Sequence, residues 1–199
     1  MGRRLGLLGG TFDPVHTGHL LMAEVARHAL SLDQVVFVPA GVPPHKCEAV
    51  TPAEHRYAMV LLATAPNESF AVSRRELERS GPSYSLTTIR EYRREIGPTG
   101  ELFFIAGADT VLEIRTWYGW REVLRECQFA VLARPGFAIA ALLASLPAEV
   151  RGQIRLLPAP ACDVSSTAVR ERVGRGEPIR YLVPEPVEVY IRKHALYQG

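Results

Sequence analysis

Apolar positions along this chain switch repeatedly between strand-like runs and helical spacing. Arg4 to Leu8 is a short apolar run that reads as a buried strand. Leu20, Leu21, Val25, Ala26, Ala29 and Leu30 then recur at helical spacing up to Ser31-Leu32-Asp33, and Gln34 to Pro39, rich in Val and Phe, is a second strand. Strand, helix and strand in this order predict a βαβ unit with parallel strands. Ala40 to Ala49 is a loop containing Pro43-Pro44. Pro52, at a first helical position, opens a helix through Arg56, Met59, Val60, Leu61 and Leu62 to Pro66. Phe70 to Ser73 is a short strand, and Arg74 to Pro82 is charged and expected to be exposed. Ser85 to Ile96 is a polar amphipathic helix ended by Gly97-Pro98, and Glu101 to Ala106 is a strand that runs into a second loop, Gly107-Ala108-Asp109. Short helices are expected at Val111 to Ile114 and Trp120 to Cys127, a strand at Phe129 to Ala133, a helix at Ala138 to Leu146 and a last strand at Ile154 to Leu157. Ser166 to Gly174 and Glu185 to Leu196 complete the chain as helices. The alternation predicts an α/β fold, a doubly wound parallel sheet with a small C-terminal helical part over about 160–199, within a single domain spanning 1–199. Ligands of such sheets sit beyond the C-terminal strand ends, where strand order reverses.

Composition narrows the partners. With 199 residues and 47% hydrophobic content the chain can fill one sizeable core. A net charge of +2, from 23 basic and 21 acidic residues, gives no basic field of the kind that draws nucleic acid, so that partner is disfavoured. Cys47, Cys127 and Cys162 are far apart and form no Cys-x-x-Cys pair, which argues against a zinc framework or a disulfide scaffold and for a cytoplasmic setting. The apolar run near Met1-Gly2-Arg3-Arg4 is too short for a signal peptide, and no run has the length of a membrane span, so no membrane partner is expected.

The chemistry gathers at Gly9-Gly10-Thr11-Phe12-Asp13-Pro14-Val15-His16-Thr17-Gly18-His19-Leu20, between the first strand and the first helix. Two glycines permit close backbone approach, and Thr17 and Gly18 suit a helix start whose free N–H groups and dipole face the turn. His16 and His19 can donate to a phosphate. The stretch lacks the spacing of a dinucleotide fingerprint and the Gly-Lys-Ser/Thr ending of a phosphate loop, so on bare chemistry an anion site and a plain glycine-rich turn with surface histidines both stay open. Lys46 follows the stiff Pro43-Pro44 and reads as a mobile charge for phosphates or as a solvated lysine. Ser165-Ser166-Thr167 starts a helix with Arg170 one turn in, a second place where hydroxyls, amides and a guanidinium converge. Asp109 can accept ribose hydroxyls or cap the next helix. Arg74-Arg75-Glu76 reads as a solvated face, and Cys47 beside Lys46 has no supported reactivity.

The whole opening stretch resembles the signature of the nucleotidyltransferase superfamily with the His-x-Gly-His motif, and within it looks most like the bacterial nicotinate mononucleotide adenylyltransferases. The resemblance continues in order through Pro43-Pro44-His45-Lys46, Arg56 to Met59, Ser83-Tyr84-Ser85, Gly107-Ala108-Asp109, Thr116-Trp117-Tyr118 and Arg134-Pro135-Gly136. Val164-Ser165-Ser166-Thr167, Arg170, Tyr181-Leu182-Val183-Pro184 and Tyr190-Ile191 follow. Val15 and Val164 stand where Ile is common, and Ser85 where Thr is common. This resemblance implies a Rossmann-like fold and transfer of AMP from ATP to nicotinate mononucleotide, with Mg²⁺ accompanying ATP and no covalent intermediate. It implies that His16, His19, Lys46 and Arg170 act on the phosphates. ATP is then bound also by Gly9, Gly10, Thr11, Phe12, Gly107, Asp109 and Ser165-Ser166-Thr167. Lys46, Tyr84, Ser85, Trp117, Tyr118 and Arg134 serve the acceptor, with Trp117 stacking on the pyridine ring and amides near Ser85 and Tyr118 meeting its carboxylate. No protein metal site is implied, and a homo-oligomer is left open. The alternatives are the same transfer to nicotinamide mononucleotide, phosphopantetheine or glycerol phosphate, and a non-catalytic nucleotide-binding module.

Overall fold

The structure, a computed structural model, describes residues 2–43, 50–133, 143–144, 146–158, 160 and 162–198. Six strands, β1 (Arg4–Gly10), β2 (Gln34–Pro39), β3 (Phe70–Val72), β4 (Glu101–Gly107), β5 (Gln128–Ala133) and β6 (Ile154–Pro158), form one sheet in the order β3-β2-β1-β4-β5-β6. The β1–β4, β4–β5 and β5–β6 pairs are parallel, with Leu7 opposite Phe104 and Val131 opposite Leu156. This is the Rossmann-like α/β order, in which succession reverses at β1 and β4 and ligands bind beyond their carboxyl ends.

Among the described residues the helices are α1 (Thr17–Ala29), α2 (Ala53–Thr64), α3 (Arg75–Glu78), α4 (Ser85–Ile96), α5 (Ala108–Leu112), α6 (Trp120–Glu126), α7 (Ala148–Arg151), α8 (Ser166–Gly174) and α9 (Glu185–Lys193), with a 3₁₀ turn at Ile114–Thr116. Burial explains the strand spellings. Leu102 to Ala106 of β4 and Phe129 to Ala133 of β5 are buried throughout, as unbroken apolar strands covered on both faces must be. The edge strand β6 is covered only in part, with Ile154 and Leu157 buried and Arg155 and Pro158 exposed. In α4, Leu86, Ile89 and Tyr92 turn inward and the helix stops at Gly97 with φ 71°.

The chain forms two compact units. The first unit is Met1–Gly9, Met22–Val36 and Tyr84–Ala161; the second is Gly10–Leu21, Phe37–Ser83 and Cys162–Gly199. Several local expectations are revised. Pro52 is the cap of α2 rather than its first residue. Arg74 to Pro82 contains the short helix α3, whose Glu76 is only 6% exposed. The reason is tertiary: the Ser73 amide bonds the Phe37 carbonyl at 2.9 Å, which draws the following turn inward, while Arg74 stays out and pairs with Glu54 at 2.7 Å. The short α7 carried no helical period long enough to read. Most of the helix expected at Ala138 to Leu146 lies outside the described residues. The last helix ends at Lys193, after which Ala195 and Tyr197 take positive φ.

Candidate active site

The second unit holds the loop from Gly10 to the start of α1. Gly9 and Gly10 close β1, and the Gly10 carbonyl accepts the Ala40 amide at 2.9 Å. Phe12 turns the chain with φ 53° and is 2% exposed, its ring edge-on to His19 at 5.0 Å and 5.9 Å from Phe37. Its side chain is therefore core, and only its backbone is available to a ligand. The first residue of α1 is Thr17, so His19 lies three positions after the cap residue His16. From there its Nδ1 reaches back and accepts the His16 amide at 3.2 Å, the return bond that a side chain at this position makes in a capping box. That bond orients the ring and leaves the proton of neutral imidazole on Nε2. The two imidazoles stack at 3.7 Å. Gly18 permits this, since a Cβ there would lie 3.1 Å from the His16 ring. Burial first, then the facing His16, holds the His19 pKa well below 6.5, so His19 is a neutral donor at pH 7.

The start of α8 is tied to the same loop. Ser166 Oγ donates to the Pro14 carbonyl at 2.9 Å, and Arg170 Nη1 donates to the Asp13 carbonyl at 2.8 Å. Arg170 Nη2 approaches Thr167 Oγ1 at 3.4 Å, and Ser165 Oγ caps the helix by accepting the Ala168 amide at 3.1 Å. The hydroxyls of Ser165 and Ser166 are thus occupied in holding the fold, whereas the first amides of α8 precede its intrahelical bonds. The amide and hydroxyl of Thr17 are held by the Leu182 carbonyl at 2.9 and 3.0 Å.

Two residues carry this arrangement without having been assigned a role from sequence. Arg56 is 1% exposed, and its guanidinium donates to three carbonyls: Thr51 at 2.8 Å, Thr11 at 2.7 Å and Gly41 at 3.0 Å. Burial lowers its pKa somewhat, and the nearby Asp13 opposes that change. Asp13 is 4% exposed; Oδ1 accepts the Tyr197 hydroxyl at 2.7 Å and Oδ2 the Thr51 amide at 3.2 Å. The sequence signal for Arg56 was present, an arginine on the same apolar helix face as Met59 and Val60. Lys46 and Arg134 lie outside the described residues.

In the first unit, β4 ends at Gly107, which is itself the cap of α5, so Asp109 is not the cap and stands exposed in the first turn. Its carboxylate folds back over the strand end: a Cβ on Gly107 would lie 2.5 Å from Asp109 Oδ1. Trp117 is half-buried, edge-on to Phe104 at 5.3 Å and 6.3 Å from Phe129. Tyr118 is 63% exposed and its ring lies 4.7 Å from Tyr84, the cap residue of α4, with Ser85 as the first residue of that helix. Cys127 is buried, which pushes its thiol up to about 12 and makes it unreactive. Among the described residues no three His, Cys, Asp or Glu side chains group as metal ligands, and no helix is long and apolar enough to cross a membrane.

A parallel sheet of this order, with a His-x-Gly-His loop bound to a second helix start, defines a nucleotidyltransferase-type architecture. The sequence model of the family described as cytidylyltransferase-like matches residues 7–172. The chain belongs to that family. A curated protein of Moorella thermoacetica is 52% identical over 199 residues, covering 98% of this chain and 92% of its own length. One from Thermus thermophilus is 47% identical over 196 residues, covering 98% and 100%. Both carry the name "probable nicotinate-nucleotide adenylyltransferase", and within the family the chain groups with proteins of that name. The solved nicotinic acid mononucleotide adenylyltransferase of Plasmodium falciparum, complexed with NaAD, shares the fold with a TM-score of 0.78 at 19% identity, covering 98% of this chain and 97% of that one.

Proposed function

We propose that this chain transfers AMP from ATP to nicotinate mononucleotide, forming nicotinic acid adenine dinucleotide and pyrophosphate as a step of NAD biosynthesis. The family and the names of its relatives support adenylyl transfer. The observation that carries the reading is the pair of bonds from Ser166 to Pro14 and from Arg170 to Asp13, because they gather both halves of the expected phosphate machinery in one unit.

A phosphate oxygen of the mononucleotide attacks the α-phosphorus of ATP. The new P–O bond forms as the bond to the β-phosphate oxygen breaks, and that electron pair leaves with pyrophosphate. The attacking group is already anionic, so the protein needs neither a general base nor a covalent intermediate; it aligns the groups and stabilises charge. His19 donates from neutral Nε2–H at a helix start, a directional donor that needs no proton from solvent. In this reading His16, Arg170, the first amides of α8 and Lys46 complete the phosphate contacts, with Gly9, Gly10, Thr11 and Phe12 contributing backbone. Gly107 lets the chain approach closely, and Asp109 is exposed and free to accept ribose hydroxyls. Trp117 offers an aromatic face to the pyridine ring, backed by Phe104 and Phe129. Amides at the Ser85 and Tyr118 positions meet its carboxylate, a donor set that leaves a carboxamide's NH₂ without a partner. Tyr84 and Arg134 belong to the same acceptor group.

Mg²⁺ enters with the triphosphate. The chain's donors here are imidazole, guanidinium and amide, so the ion belongs with phosphate oxygens and water, where it neutralises charge on ATP. The proposed setting is the cytoplasm. The test is to supply ATP and Mg²⁺ with nicotinate mononucleotide, nicotinamide mononucleotide, phosphopantetheine and glycerol phosphate in parallel and measure pyrophosphate. Release with nicotinate mononucleotide alone is the expected result. Preference for another acceptor corrects the substrate, and no release with any of them overturns the reading in favour of a binding module.

A further inference from the structure

The last turn of the chain reaches back to the loop that follows β1. Beyond α9, Ala195 and Tyr197 adopt left-handed backbone angles, φ 49° and 64°, which non-glycine residues hold only where contacts fix them. The contact is the Tyr197 hydroxyl, which donates to Asp13 Oδ1 at 2.7 Å. Burial and that bond to Asp13 push the phenol above its usual range, so it stays a donor. Asp13 in turn accepts the Thr51 amide on Oδ2, at 3.2 Å, and Arg170 Nη1 on its carbonyl, at 2.8 Å. One residue therefore joins the C-terminal turn to the guanidinium assigned above to the triphosphate.

We propose that Tyr197 is a positioning residue for ATP: its hydroxyl fixes Asp13, and the Asp13 carbonyl sets the plane of the Arg170 guanidinium. This rests on the reading of Arg170 as a phosphate ligand. A guanidinium presents its donors in one rigid plane, so holding Nη1 on Asp13 and Nη2 beside Thr167 decides where its remaining N–H groups point. Removing the Tyr197 hydroxyl deprives a buried carboxylate oxygen of a donor, and Asp13 relieves this by moving, which carries its carbonyl along. The effect falls on ATP, because the relay ends on Arg170, the guanidinium read as a ligand of the triphosphate. Another phenol of the C-terminal segment, Tyr190, pairs with His55 Nδ1 at 2.9 Å and takes no part in the relay.

The experiment compares Tyr197→Phe, which removes one oxygen, with Tyr190→Phe, which makes the same change elsewhere in the segment. Calorimetric titration with ATP and Mg²⁺, and separately with nicotinate mononucleotide, is run on the full chain beside thermal melts and steady-state KM values. Tyr197→Phe is expected to weaken ATP about fivefold to twentyfold, with a matching rise in its KM, and to leave nicotinate mononucleotide within about twofold. Tyr190→Phe is expected to change neither ligand. Unchanged ATP affinity, an equal loss for both ligands, or the same ATP loss in Tyr190→Phe overturns the proposal. Binding is read without turnover, so a protein that binds ATP but uses another acceptor fails the functional reading and leaves this relay standing.

Discussion

The two units hold their candidate residues in different ways. In the second, the groups assigned to phosphates and the residue beneath them are bonded into one polar framework: His19 on the His16 amide, Arg170 on Asp13 and Ser166 on Pro14, with Arg56 below on three carbonyls. In the first, the groups assigned to the pyridine nucleotide are faces, with Trp117 against Phe104 and Phe129 and Tyr118 against Tyr84. The contrast suits the ligands proposed for each. A phosphate is recognised by donors at set distances and angles, which require supports that do not move. A ring is recognised by a surface, and a half-exposed aromatic supplies one with less exact placement.

The largest expected effect comes from breaking the polar side. His19→Ala should lower kcat on the order of a hundredfold or more with the fold intact, because it deletes a fixed donor to developing charge. Pyrophosphate release and a circular dichroism melt check this, and a near-normal rate removes His19 from the chemistry. Trp117→Ala tests the other side. It should cut kcat/KM for nicotinate mononucleotide roughly tenfold to a hundredfold while the KM for ATP holds, the loss expected of a stacking platform. Equal losses for both substrates would erase the division of labour drawn here.

Arg56→Lys asks whether the polar framework is truly held from below. One ammonium cannot reach three carbonyls spread over a planar fork, so stability should fall by about 2–3 kcal/mol in denaturant titrations. A fully stable variant would show that the loop is held by its other contacts. The smallest effect is on pH. His19 in the folded chain resists protonation, whereas unfolded His19 titrates near 6.5. Below that pH the unfolded state takes up a proton that the folded state refuses. Stability should therefore be fully present above about 6.5 and decline as pH falls, with a slope from this residue of at most about 1.4 kcal/mol per pH unit. Unfolding midpoints from pH 7.5 to 5.5 should decline less for His19→Asn than for the parent chain, and identical declines would mean that His19 is not the group responsible.

The aromatic side was harder to read than the polar side. Gly9 to His19 is contiguous, and its meaning is local: a strand end, a turn and a helix start whose third residue reaches back to the cap. Trp117, Tyr118, Tyr84 and Ser85 are scattered, and a tryptophan between short helices is spelled the same whether it fills a core or faces a ligand. Here it is half-buried, packed on Phe104 and Phe129 with part of its surface uncovered. Asp109 illustrates the same limit. Its sequence fits a helix cap and a ribose ligand equally well, and the structure gives the cap position to Gly107.

What sequence by itself determined was whatever depends on neighbours along the chain. That includes the alternation of strands and helices, the unbroken apolar spelling of β4 and β5, the stop at Gly97 and the family signature from Gly9 to Leu20. What tertiary structure decided was which distant residues share a hydrogen bond. The sequence places Arg56 on an apolar helix face and Asp13 in a turn, and names no partner for either or for Tyr197. Only folding brings Tyr197 to Asp13 and Arg170 to the carbonyl of that same residue. It also buries Glu76 in a stretch that charge alone marked as exposed. Desolvation and partner geometry set those outcomes, and neither is written in the spacing of residues along the chain.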